Sequence, residues 1–269
     1  MGVQAIQCSA CGGTVAMVAG EDMPRCVFCG SDALVEEKSE AIEQPDDHLA
    51  FEVDEGGART IFKKFAKSSW FHPKELRQAV LNLKAVLVPA WVYSGTIESH
   101  WMALVPGPTR SGKRPMTGDE KIDVKEILIL SGSKLTQTEL NALYPFKLGD
   151  QKPFDPEESK LPFEVSRLTR SLARKQAKHT MLELHKSRID AAINAKKVSM
   201  SCLYDNLEGA PILLPVYLCS YRYKDTAYRL VINGQTGEWC GKGPKSLAKI
   251  LLVAGIGLAA IAGLLYYAQ

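Results

Sequence analysis

Three features of the 269-residue sequence predict an α+β fold built in four pieces. Two Cys-x-x-Cys pairs stand near the start, β-patterned runs lie on either side of a long basic helical stretch, and nineteen uncharged residues, Ile250 to Ala268, lie near the end. The pieces are a small ribbon over residues 1–35, an acidic linker over 36–56, a mixed α+β domain over 57–245 with antiparallel β-rich portions, and a single membrane-crossing helix over 246–269. A composition of 46% hydrophobic and 23% charged residues is that of a chain able to bury a core. The net charge of +3 hides an uneven distribution: residues 1–56 hold two basic against twelve acidic residues, and residues 159–197 hold ten basic against three acidic.

The ribbon rests on Cys8-Ser-Ala-Cys11-Gly and Cys26-Val-Phe-Cys29-Gly, with fourteen residues between Cys11 and Cys26. Each pair can bend as a knuckle, and four thiolates complete a tetrahedron around Zn²⁺, so Cys8, Cys11, Cys26 and Cys29 are the expected ligands. A redox Cys-x-x-Cys needs a strand-to-helix setting that the neighbouring residues do not provide. Seven cysteines without an N-terminal apolar stretch argue for reduced thiols, and Cys202, Cys219 and Cys240 are expected as isolated buried thiols. Only Arg25 among residues 1–35 is basic, which turns the ribbon away from nucleic acid and toward a structural or protein-binding use.

Residues 36–56 are acidic, poor in apolar side chains and broken by Pro45, the composition of a linker. Next, Ala58, Ile61, Phe62 and Phe65 recur at helical spacing while Lys63, Lys64 and Lys67 face away, and a second helix is expected from Pro73 through Leu76, Val80 and Leu83. Trp70 and Phe71, in the corner between them, are expected to be packing residues. Residues 85–93 and 95–105 are β-rich and read as one long bent strand or a hairpin. The stretch Gly107 to Arg114 approximates a phosphate-binding loop but has Arg114 where a hydroxyl must meet Mg²⁺, so it reads as a basic surface loop.

Val124–Leu130 is expected as a strand and Gln137–Leu143 as a short helix. A long helix is expected from about Glu164 to Ala195, with Val165, Leu168, Leu172, Leu182, Ile189 and Ile193 on one face. Its other face carries a cationic stripe that includes Arg167, Arg170, Arg174, Lys175 and Lys178, suited to an acidic partner or to anionic lipid heads, and equally readable as a solvated face. Residues 211–240 form a compact β pattern with turns at Lys224-Asp225-Thr226 and Asn233-Gly234, and Tyr217, Cys219, Tyr221 and Tyr223 alternate on one face.

At about 1.5 Å per residue, the run from Ile250 to Ala268 nearly matches a hydrocarbon core of roughly 30 Å. Lys242, Lys245 and Lys249 precede it and Tyr266 and Tyr267 close it, so it reads as a tail anchor with its soluble head in the cytoplasm. Gly255, Ala259 and Gly263 recur every four residues along it, a small-residue stripe that would let two spans approach, giving a homo-oligomer or a pairing with another helix.

Several stretches together resemble a bacterial family of zinc-ribbon membrane proteins of the TFIIB type, some of whose members carry primosomal or helicase-like replication names. They are Cys8–Cys29, Trp70-Phe71-His72-Pro73, Val88-Pro89-Ala90-Trp91 with Ser99-His100-Trp101, Leu214-Pro215-Val216-Tyr217 through Tyr221-Arg222-Tyr223, and Val231-Ile232-Asn233-Gly234-Gln235-Thr236-Gly237-Glu238. The resemblance implies zinc at Cys8, Cys11, Cys26 and Cys29, and a role at the inner membrane beside flotillin-like or phage-shock-type proteins, without established catalysis. The function expected is a non-catalytic adaptor or scaffold that brings a protein partner to the membrane. The rival is a membrane-tethered nucleic-acid-binding protein using the 159–197 helix. No clustered nucleophile and base announces an enzyme: His48, His72, His100, His179 and His185 are scattered.

Overall fold

The computed structural model describes residues 3–10, 14–18, 25–26, 31–37, 45, 47–108, 112–155, 159, 161–195, 197–224 and 226–267. Its elements are β1 (Val3–Cys8), β2 (Thr14–Val18), β3 (Leu34–Glu37), β4 (Asp47–His48), α1 (Glu55–Lys67), β5 (Leu81–Pro106), β6 (Lys113–Leu130), α2 (Gln137–Ala142), β7 (Lys152–Pro153), β8 (Phe163–Glu164), α3 (Arg170–Ile193), β9 (Lys197–Tyr223), β10 (Thr226–Asn233), β11 (Trp239–Gly241) and α4 (Leu247–Tyr267). The mixed α+β class is the one expected, with one apolar C-terminal helix. The chain divides into two compact units, and the long strands β5 and β9 run from one into the other.

The first unit comprises residues 1–50, 86–141 and 147–215. β1 lies between β2 and β3, antiparallel to both. β2 continues into β8, where Val15 faces Glu164, and β8 runs parallel to β5 at Leu87. β5 and β6 form a long antiparallel hairpin from Ala90 opposite Leu130 to Pro106 opposite Lys113, shifted in register between Tyr93 and Gly95. Val86 to Trp91 is buried without a break, whereas Ile97, Ser99, Ala103 and Val105 are buried in alternation with exposed or half-exposed neighbours. That change marks where the strand stops being covered on both faces and keeps cover on only one.

The cover is α3. Ala173, Ala177, Met181, His185 and Ile189 form its buried line. The two alanines let the helix approach Trp91 and Tyr93, while Ile189 meets Ala103 and Val198 near the other end. This corrects two expectations. The helix starts at Arg170 rather than Glu164, because Glu164 is a strand residue. Its apolar face is only in part the expected one, since Ile189 is buried and Ile193 packs beside it while Leu172 remains half exposed. Toward its start the helix supplies Ala173 and Ala177 against the bulky Trp91 and Tyr93, an arrangement that leucine spacing alone does not reveal. β6 is also longer than the expected 124–130 strand, because its polar first half is held by pairing with β5 rather than by burial.

The second unit comprises residues 51–85, 142–146 and 216–269. Asp54 caps α1 by accepting the Gly57 N–H at 2.6 Å, and Ala58, Phe62, Phe65 and Ala66 face inward as their spacing predicts. They pack on Tyr217, Cys219 and Tyr221 of β9 and on Leu230 and Ile232 of β10, with the Phe62 and Tyr221 rings edge to face at 5.1 Å. The expected helix from Pro73 to Leu83 is absent. A 3₁₀ turn over Lys74–Gln78 buries Leu76, and from Leu81 the pattern has period two, with Leu81, Leu83 and Ala85 partly buried between exposed Asn82 and Lys84.

Candidate functional site

Cys8 ends β1 opposite Leu34 and is fully buried, and Cys26 is buried as well. The backbone around them is tied to the segment leading into β3. Ser9 N–H donates to the Ala33 carbonyl at 2.9 Å, Cys26 N–H donates to the Ser31 carbonyl at 2.7 Å, and Ala33 N–H donates to Ser31 Oγ at 3.1 Å. Both thiols are shielded from water. Cys11 and Cys29 lie outside the described residues. Among the described residues no three His, Cys, Asp or Glu side chains converge as metal ligands.

The structure divides the five basic residues of the expected cationic stripe into two kinds. Arg170 lies 4.8 Å over the Trp91 ring and donates to the Gly209 carbonyl at 3.0 Å, while Lys178 lies 5.1 Å from the Tyr204 ring. These two are held against the sheet by cation–π and hydrogen-bond contacts. Arg167, Arg174 and Lys175 are exposed. Arg170 and Arg174 border a small cavity of about 220 Å³ with Tyr93, Leu207, Glu208 and Gly209. The carboxylate of Glu208 in that wall works against an anionic guest.

α4 runs for 21 residues, and its window Leu247–Leu264 is long and apolar enough to cross a membrane, with none of it buried. Apart from the helix's own adjoining backbone, nothing among the described residues lies within 4 Å of the position a Cβ would take at Gly255 or Gly263, and Ala259 is exposed. The beginning of this helix is fastened to its own unit. Lys249 Nζ donates to the Trp70 and His72 carbonyls at 2.7 and 2.8 Å, and Ser246 N–H donates to the Phe71 carbonyl at 2.8 Å. Trp70 is therefore no packing residue: its side chain is exposed, beside the first turn of α4.

Sequence reasoning missed two buried polar sites of the first unit. Ser99 Oγ lies 2.7 Å from His185 Nε2 and donates to the Glu120 carbonyl at 3.3 Å. With the serine proton on that carbonyl, Nε2–H is the donor to Ser99 Oγ, the reverse of what activation of a nucleophile requires. Glu120 Oε2 stands 3.9 Å from the same nitrogen, Nδ1 has no hydrogen-bond partner among the described residues, and both Ser99 and His185 are buried. Burial lowers the His185 pKa, opposed by Glu120 and reinforced by Arg188. The second site is Glu164, whose Oε1 accepts the Ser133 N–H at 2.5 Å and the Ser133 hydroxyl at 2.9 Å, while the buried Oε2 has no hydrogen-bond partner among the described residues. Burial pushes this carboxyl above its ordinary range, against the Ser133 hydrogen bonds and the charges of Lys134 and Arg167. A signal for the first site lay in the strand alternation that turns Ser99 inward. Glu164 gave none, being polar in a proline-rich stretch.

Comparison with protein-family models, with curated proteins and with solved structures returns no match to this chain.

Proposed function

We propose that the protein is a membrane-anchored, non-catalytic adaptor whose N-terminal cysteines hold Zn²⁺ and whose head gathers a protein partner at the bacterial inner membrane, with the head in the cytoplasm. The observation that carries this reading is α4: an apolar helix of spanning length with its side chains left uncovered. An uncovered apolar surface of that size is costly in water and favourable in hydrocarbon. The resemblance to zinc-ribbon membrane proteins, with flotillin-like or phage-shock-type proteins as partners, belongs to the same proposal, as does self-association through Gly255, Ala259 and Gly263. The spacing of the two Cys-x-x-Cys pairs in the sequence is what supports the metal. Membrane lipid and the exposed Arg167, Arg174 and Lys175 are compatible neighbours. Nucleic acid is the weaker reading, because Arg170 and Lys178 are engaged within the fold.

Crosslinking of the full chain in membranes tests the proposal. The wild type is expected to give a hetero-crosslinked species and a self-crosslinked dimer, and to contain about one zinc per chain. Cys8→Ser with Cys26→Ser should lose the zinc and the hetero-crosslink, and leucine at 255, 259 and 263 should lose the dimer. A wild-type chain that crosslinks to nothing, or that keeps its zinc in the double serine variant, contradicts it.

A further inference from the structure

The segment that leads into α4 is knitted to the second unit at every step. Tyr221 O–H donates to the Lys242 carbonyl at 3.5 Å, and Pro244 is buried. Gly243 lies so close to the His72 ring that a Cβ would stand 2.3 Å from Nε2. Ser246 and Lys249 then bind the three consecutive carbonyls of Trp70, Phe71 and His72. The rest of the second unit is thus clamped to the first turn of the apolar helix, with no free tether between them. At that level Trp70 leaves 56% of its surface exposed, while Trp91 is buried and Trp101 and Trp239 are partly covered. The Lys249 ammonium lies 5.3 Å from the Trp70 ring centroid, and Phe71 meets Trp70 edge to face at 5.3 Å.

An indole with an apolar body and an N–H edge is favoured at the boundary between headgroups and hydrocarbon, and lysine there extends its ammonium toward the polar side. Tyr266 lies seventeen positions beyond Lys249. At helical rise this is about 25 Å, close to the thickness of a hydrocarbon core with tyrosines at its far edge. We propose that the Ser69–His72 corner is a membrane seat, in which the Trp70 indole rests at headgroup level and sets the second unit directly on the bilayer surface. The partner is the lipid interface itself. This rests on the reading of α4 as a membrane span.

The test uses the full chain reconstituted into phosphatidylcholine–phosphatidylglycerol vesicles whose acyl chains carry bromine, a contact quencher of indole emission, either near the headgroup or near the chain terminus. Shallow bromine is expected to quench tryptophan emission more than deep bromine, and Trp70→Phe, which floats with the vesicles equally well, is expected to lose that difference. A chain that floats but emits equally in brominated and unbrominated vesicles overturns the seat, as does quenching of undiminished size in Trp70→Phe. A chain that does not float overturns both the seat and the membrane reading beneath it.

Discussion

Asn233 spends its whole hydrogen-bonding capacity in the turn that follows β10. Its Oδ1 accepts the Gln235 and Thr236 N–H groups at 2.8 and 3.1 Å, and its Nδ2 donates to the Leu143 and Pro145 carbonyls, both at 2.9 Å, with the residue fully buried. Gly237, at φ +81°, completes the turn. The distinctive Asn-Gly-Gln-Thr-Gly motif is thus explained by folding. Asn233→Ala strands four partners, and at about 1 kcal/mol for each lost bond it should lower the unfolding free energy of the detergent-solubilised chain by roughly 2–4 kcal/mol. An unchanged denaturation midpoint would contradict that role. Two buried titratable groups act in opposite senses with pH. Glu164 has a raised pKa, so its contribution is present below pH 4.5 and is lost as pH rises through its folded value. His185 has a lowered pKa, so its contribution is present above pH 6.5 and is lost as pH falls through its folded value. Glu164→Gln should therefore stabilise the protein at neutral pH, with the gain shrinking toward pH 4.5. A gain that stays constant across that range would show that ionisation of Glu164 plays no part.

At the scale of elements, the sequence made legible whatever local spacing alone determines. α1 follows its 3.6-residue period, β9 and β10 meet near the expected turn with Tyr223 paired to Thr226, and α4 is apolar from Ile250 onward. Elements held by partners distant in sequence were hidden. The first half of β6 is polar and is a strand only because β5 pairs with it, and β8 is two residues pinned between β2 and β5. The region after Pro73 reads as a helix because Leu76, Val80 and Leu83 recur at helical intervals, yet Val80 is exposed and the strand pattern from Leu81 prevails. For the candidate site, the cysteine pairs and the span were readable from spacing and length. The clamp of Lys249 on the Trp70–His72 corner was not, since its two parts lie 177 and 179 residues apart in sequence.

For the whole molecule, each of the two units has a core of its own, and among the described residues the exposed large apolar side chains are most concentrated along α4. Along that helix Ile250, Leu251, Leu252, Val253, Ile256, Leu258, Ile261 and Leu264 are exposed, and no acidic or basic residue follows Lys249. At about 0.3–0.6 kcal/mol for each such residue, insertion gains roughly 2–5 kcal/mol with no charge in the run to oppose it. The clamp at Lys249 would then carry the position of the span directly into the second unit. Alkaline carbonate extraction of membranes from cells making the untagged full-length chain tests this account most directly. A spanning α4 predicts that the protein stays in the membrane pellet; recovery of the intact chain in the carbonate supernatant would contradict it.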